Sequence, residues 1–311
     1  MTRALVTGAS GFAAPFLIRE LLSHGREVLG TIHGAGYEPP EEYTTLPLDV
    51  TDAEAVKRVV SETRPDEIYH LAGLTRPASE KINDFHAVNF GGALNLLEAA
   101  KAEAPGVSVL LVGSAYAYGR ADRPIPEDTP LSPINHYGVS KAAAEMLGKI
   151  YVLEGLRVVL ARPFNHSGPG QSPDFLLPTL VEQFAEIKLG ERNALVKLGN
   201  LDSVRDLSDV RDIARSYRLM LEKGESGEAY NAGSGRGVSV EETFEVVREA
   251  AGVEIELEVE ESRMRASDIP YLVANTNKAE RELGWKPEVP LERTVREMFE
   301  AEVERKRDDR L

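Results

Sequence analysis

The chain has no cysteine in 311 residues. Disulfides, thiol nucleophiles and cysteine-ligated metals are therefore excluded. It also lacks any apolar run near the ~18 residues of a membrane-spanning helix. Its opening, MTRALVTGASG, has no signal-peptide layout and enters a motif at once. A cytoplasmic protein with no membrane partner is expected. Positive charge is in the minority: 36 Lys and Arg stand against 51 Asp and Glu, a net charge of −15. Nucleic acid needs a basic face, so no nucleic-acid partner is expected. A small phosphorylated ligand stays open, since a few Arg, Lys or backbone N–H groups suffice for it. The 6 histidines show no HExxH or similar spacing, and no metal is expected.

What is present is an ordinary globular balance, 42% hydrophobic and 28% charged, in a chain long enough for a sizeable core. RALVT (3–7), REVLGTI (26–32), EIYHLAG (67–73), VSVLLVGS (107–114) and LRVVLAR (156–162) read as strands. VSVLLVGS is almost continuously apolar, as a strand covered on both faces would be. Between the strands lie helical stretches. One begins with FLIRELLS and ends near Gly25, a second is capped by Asp52, a third covers 89–102 and a fourth runs from about 137 to 154. Strands and helices alternating at this spacing predict an α/β fold, a Rossmann-like doubly wound parallel sheet. After about residue 163 the texture changes, with proline and glycine frequent in RPFNHSGPGQSP. SVEE (239–242) is a capping box, and VEIELEVEES (253–262) an acidic alternating strand for a solvated edge. The expected division is a dinucleotide-binding domain over 1–162 and a smaller C-terminal α/β substrate-binding lobe over 163–311. Segments near 205–235 are expected to return to the first.

Two motifs carry chemistry. TGASGFAA (7–14) places Gly8 and Gly11 between the first strand and the first helix. That is where a dinucleotide pyrophosphate rests on backbone N–H groups at a helix N-terminus. Ala14 holds the third glycine position and still permits close packing. An acidic residue at the end of the second strand would select NAD; here GTIHGAG has no carboxylate before Glu38. NADP(H) is favoured, with His33 near the 2′-phosphate, and NAD(H) is the alternative. The second motif is HYGVSK (136–141). Tyr137 and Lys141 share a helix face one turn apart. A nearby ammonium favours the phenolate, so the pair could be a tuned proton donor or acceptor. Such a pair is common by chance. Its place is the evidence, because it opens the helix that follows the strand closed by Ser114, and ligands of doubly wound sheets bind outside the carboxyl ends of the strands.

The chain resembles the extended short-chain dehydrogenase/reductases over almost its whole length. The resemblance rests on TGASGFAA, LDVTD (48–52), HLAG (70–73), VNFGG (88–92), GSAYAYG (113–119), YGVSK (137–141), RDLSDVRDIA (205–214) and YNAGSG (230–235). It implies that Gly8, Ser10, Gly11, Phe12, Ala13, Asn89 and the Leu71–Gly73 segment (with Ala72) line the cofactor, and that Asp49 and Val50 contact adenine. It implies Tyr137 as proton donor or acceptor, Lys141 on the nicotinamide ribose lowering the tyrosine pKa, and Ser114 on the carbonyl. It also implies a homodimer formed through a four-helix bundle, built from the helices near 89–102 and 137–154.

Related 4,6-dehydratases carry Asp–Glu or Glu just after the Ser/Thr, for water elimination. Ala115 and Tyr116 cannot serve as that base. The related 3,5-epimerases rely on a cysteine, which is absent. RPFNHSGPGQSPDFLLPTL (162–180) and RMRASDIPYLVANTNKAERELGWKP (263–287) look most like reductases of GDP-4-keto-6-deoxy-D-mannose, which make GDP-D-rhamnose. The resemblance puts Asn165 on the sugar nucleotide, Arg205 and Arg265 on its diphosphate, and Ala115, Phe175, Leu176 and Lys188 around the substrate. His166 is either a substrate contact or a buried hydrogen-bonded histidine. The alternatives to a reductase are a nucleotide-sugar 4-epimerase with tightly bound NAD and a non-catalytic dinucleotide-binding sensor. The sensor is disfavoured because Ser114, Tyr137 and Lys141 are all present.

Overall fold

The structure is a computed structural model and describes residues 1–34, 36, 41–75, 82–263 and 269–309. Strands β1 (Arg3–Thr7), β2 (Glu27–Ile32), β3 (Thr44–Pro47), β4 (Glu67–His70), β5 (Ser108–Val112) and β6 (Arg157–Pro163) alternate with helices α1 (Ala14–Ser23), α2 (Ala53–Thr63), α3 (Ile82–Phe85), α4 (Gly92–Glu103) and α5 (His136–Leu153). The second half adds β7 (His166–Ser167), α6 (Leu176–Lys188), β8 (Leu195–Leu198), β9 (Val204–Asp206), β10 (Ser208–Asp209), α7 (Val210–Lys223), β11 (Ala229–Ala232) and β12 (Gly237–Ser239). It continues with α8 (Val240–Ala251), β13 (Glu256–Val259), β14 (Tyr271–Leu272), α9 (Asn277–Leu283) and α10 (Leu291–Asp308).

Seven strands form one parallel sheet in the order β11-β6-β5-β4-β1-β2-β3. Neighbouring side chains leave opposite faces of a strand, and the core obeys this. Ala4 and Val6 of β1, Leu110 of β5, and Val159 and Ala161 of β6 join the cluster under α1 and α7. Leu5, Val109, Leu111, Val158 and Leu160 join the cluster under α2, α4 and α5. Both faces are covered, which is why β5 reads as an unbroken apolar run.

The helix ends follow their sequence signals. Asp52 accepts the Ala55 N–H at 3.0 Å and starts α2. Gly25 follows α1 at φ +73°, and its N–H returns to Leu22 O at 3.0 Å. Ser239 and Glu242 complete a reciprocal capping box on α8. The third helix differs from expectation. A π-helical turn, His86–Gly91, precedes α4. The extra residue in that turn accompanies the inward placement of Asn89.

A separate apolar cluster lies between α6, α8 and α10. β13 pairs in parallel with β8 and is mostly exposed, as the acidic alternation predicts. β9 sits between β12 and β14 in a three-stranded sheet, and β10 pairs with β7. β11 returns to the edge of the main sheet and α7 packs on α1, so the chain crosses between its two parts more than once.

Candidate active site

β5 ends at Val112, and Ser114 caps a short 3₁₀ turn, Ala115–Ala117, by accepting the Tyr116 N–H at 3.2 Å. Asn135 starts α5 by accepting the Gly138 N–H at 2.7 Å. These two starts face each other. A Cβ at Gly138 would stand 2.5 Å from Tyr116 O, so only glycine admits this approach. The result sets the Tyr137 phenol beside Ser114, close enough for the serine to favour its ionised form. The Tyr137 ring also stands edge-on to Phe85 and Tyr116, with centroids 6.2 and 5.8 Å away. Burial pushes the phenol up to about 12, against the lowering effect of nearby Ser114. Lys141 adds no lowering to this phenol in the protein alone, so that expectation is not met.

Lys141 follows one turn later and is itself buried. Its Nζ donates to Val112 O at 2.9 Å. That uses one of three donors. Burial lowers its pKa to about 8. His70, at the end of β4, is also buried and lies within 2.8 Å of Thr7 Oγ1, which accepts the Ala72 N–H at 3.1 Å. Burial, aided by the Lys141 charge, lowers His70 to about 3, so the ring is neutral.

The residues fit a dinucleotide. Gly8 adopts φ +72°, and a Cβ there would stand 2.9 Å from the Ala72 backbone. The glycine loop and the Leu71–Gly73 loop can therefore approach closely. α1 begins at Ala13 with no side-chain cap and no acidic residue in its first turn. Ala14 N–H turns back to Gly11 O at 3.2 Å and Pro15 has no N–H, which leaves the Phe12 and Ala13 N–H groups, without an acceptor among the described residues, to an anion. Ser10 and Gly11 are exposed on this loop, while Phe12 is half-buried and packs near His166, centroids 6.1 Å apart. Asp49 is exposed and folds onto Thr51, whose N–H and hydroxyl lower its pKa. Val50 is buried beneath Gly92. His33 is exposed just after β2. Asn89 has other partners than expected. It is buried, accepts the Leu74 N–H at 2.8 Å and donates to Leu74 O and to Ser140 Oγ. It fastens the loop beyond Gly73 to α5, and its amide donors are fully used.

On the substrate side, Asn165 Oδ1 is buried with no hydrogen-bond partner among the described residues. Gln171 Oε1, six residues on, is in the same state while its Nε2 donates to His166 O. His166 is hydrogen-bonded to Phe164 O. Arg205 lies on β9, donates to Val204 O and has no acidic partner among the described residues. β9 is fixed by Asp206, whose buried carboxylate accepts the Ser234, Gly235 and Ala274 N–H groups. Phe175 and Leu176 begin α6, with Leu176 packed on the C-terminal cluster. Ala115 is fully buried. Lys188 is a correction: it closes α8 by donating to Ala251 O at 3.0 Å, at the far end of α6 from Phe175. Arg265 lies outside the described residues. Sequence reasoning excluded Tyr116 as a base and gave it no other role, and it passed over Gln171 and the Thr7–His70 pair.

Among the described residues, no helix is long and apolar enough to cross a membrane, and no cluster of His, Asp and Glu could hold a metal. A family model described as GDP-mannose 4,6 dehydratase matches residues 5–298. The chain is 33% identical to the GDP-6-deoxy-D-mannose reductase of Pseudomonas aeruginosa, over 94% of this chain and 95% of that one. A structure of RMD from Pseudomonas aeruginosa with NADPH superposes with TM-score 0.85 at 31% identity, over 98% of this chain and 100% of the other. The UDP-glucose 4-epimerase of Thermus thermophilus with NAD gives TM-score 0.86 at 28% identity, over 97% and 99%. With the doubly wound sheet, the glycine loop and the Ser114–Tyr137–Lys141 arrangement in place, the chain belongs to the GDP-mannose 4,6 dehydratase family, nucleotide-sugar-modifying enzymes of the short-chain dehydrogenase/reductase type.

Proposed function

We propose that the protein reduces the C4 keto group of a nucleotide-linked 4-keto-6-deoxyhexose, with GDP-4-keto-6-deoxy-D-mannose as substrate and GDP-D-rhamnose as product. The observation that carries this is the Tyr137 phenol standing beside Ser114, with Lys141 one turn on and no carboxylate in the adjoining turn. A bound nicotinamide dinucleotide supplies the hydride. Tyr137 holds its proton through neutral pH and releases it to the C4 oxygen as negative charge develops there. Ser114 holds the same oxygen and fixes its distance from the phenol. Lys141 keeps donors in reserve and a positive charge on the same helix face, which stabilises the tyrosinate left behind. Ala115 and Tyr116 offer no base for water elimination, which supports reduction over dehydration.

NADPH is the proposed reductant, because β2 is followed by His33 and Gly34 rather than by a carboxylate. Arg205, without an acidic partner among the described residues, suits the diphosphate. Asn165 Oδ1 suits a sugar hydroxyl. A homodimer through α4 and α5 belongs to the same proposal. α5 exposes Val139, Met146, Ile150 and Leu153 along one face, and Leu153 is 89% exposed.

The test is NADPH absorbance with purified protein and GDP-4-keto-6-deoxymannose. Oxidation of NADPH only when that sugar is added is expected. Tyr137→Phe should lower kcat by about 10²-fold or more while NADPH binding is kept. Protein that carries NAD from purification and leaves NADPH untouched would be an epimerase instead.

A further inference from the structure

Ser114, Ala115, Ala117 and Tyr118 are each 4% exposed or less. Tyr116 between them is only half-buried. Its ring stands edge-on to Tyr137, and the side chain packs against a buried apolar cluster that includes Ile125, Phe164, Ile269 and Leu272. Its backbone is held at two points: the N–H on Ser114 Oγ, and the carbonyl in the space that Gly138 leaves. The side chain is thus fixed in place beside the Ser114–Tyr137 pair. Its hydroxyl has no hydrogen-bond partner among the described residues. Nothing in the acid-base chemistry above uses it.

A sugar whose C4 oxygen reaches both Ser114 and Tyr137 has its C3 and C5 substituents only one or two bonds away. One flank carries a hydroxyl and the other the C6 group. We propose that Tyr116 determines specificity at C6: its ring, packed against that apolar cluster, covers the C5–C6 edge and favours a methyl over a hydroxymethyl. This rests on the reductase reading above. A ring carbon surface with aliphatic backing gains from a methyl contact. A hydroxyl pressed against the ring face, away from the phenol oxygen, loses water without a partner. Discrimination against one added hydroxyl in an apolar pocket is of the order of tenfold to a hundredfold.

The reaction can be read backwards, which removes the need for unstable keto sugars. GDP-D-rhamnose and GDP-D-mannose differ only in the C6 hydroxyl. With NADP⁺ as oxidant, the ratio of their kcat/KM values should be about tenfold or more in the wild type. Tyr116→Phe keeps the ring and should keep that ratio. Tyr116→Ala should reduce it toward one, with NADP⁺ affinity unchanged. The ratio is internal to each variant, so loss of folded protein cancels. An active wild type with the same ratio in Tyr116→Ala overturns the Tyr116 assignment and leaves the reductase reading intact. A wild type that oxidises no nucleotide-linked 6-deoxyhexose overturns both.

Discussion

Arg162 grips both carboxylate oxygens of Glu145, at 2.8 and 2.6 Å, with each side chain 3% exposed. The same guanidinium holds Tyr118 Oη at 2.6 Å and Glu127 O at 2.8 Å. Tyr118 directly follows the turn that Ser114 opens. The pair therefore ties β6 and α5 to the turn that carries the candidate serine. Its geometry satisfies nearly every donor of the guanidinium, which is what a buried charge requires. Removing one partner leaves the other uncompensated. Glu145→Ala should lower the unfolding free energy by about 3–5 kcal/mol, read from urea denaturation. A loss below about 1 kcal/mol would place the pair in contact with water.

Lys141 should cost stability in the ligand-free protein. Its folded pKa is about 8 against 10.5 for the free side chain. Between those values the unfolded chain binds more protons, so stability from this group rises with pH across the window. At pH 7 the buried charge is at its most costly. Lys141→Met should therefore melt above the wild type at pH 7 without ligand, and the gap should narrow toward pH 10. It should also be inactive. A lower melting temperature at pH 7 would mean that the ammonium is better solvated than its burial implies.

His70 gives the opposite end of the pH scale. It is neutral in the fold, with a pKa of about 3 against 6.5 for the free side chain. Below pH 6.5 the unfolded chain takes up the proton first, so stability falls as pH drops from 6.5 toward 3. His70→Gln should show a shallower fall over that range in urea titrations at stepped pH. Parallel curves for variant and wild type would assign the acid sensitivity to the carboxylates alone.

The exposed stripe on α5 predicts an oligomer. Met146→Glu combined with Ile150→Glu places charge on positions that are 57% and 48% exposed within one chain. The fold should survive by circular dichroism. Light scattering should report half the wild-type mass. A wild type already monomeric at micromolar concentration would remove the dimer from the proposal.

Where the signal was local, the residues alone placed it. β1, β5 and β6 followed from their apolar runs, α2 from Asp52 and α8 from Ser239 and Glu242. In each case the partner group lies within about one helical turn or across a regular ladder. The glycine loop was legible because Gly8 needs a backbone conformation that other residues rarely adopt. Ser114, Tyr137 and Lys141 could be named from their positions at strand and helix ends.

Tertiary structure decided what depends on neighbours distant in the chain. Lys188 looked free to meet a nucleotide, yet it meets Ala251 O, 63 residues away. Asn89 was expected on the cofactor, yet a π turn points it at Leu74 and Ser140. Tyr116 and Ala115 are adjacent, and only packing decides that one is half-buried and the other fully so. The phenol of Tyr137 was expected to be lowered by Lys141. Its environment raises it, because desolvation depends on everything that surrounds a group, and a sequence supplies only the groups.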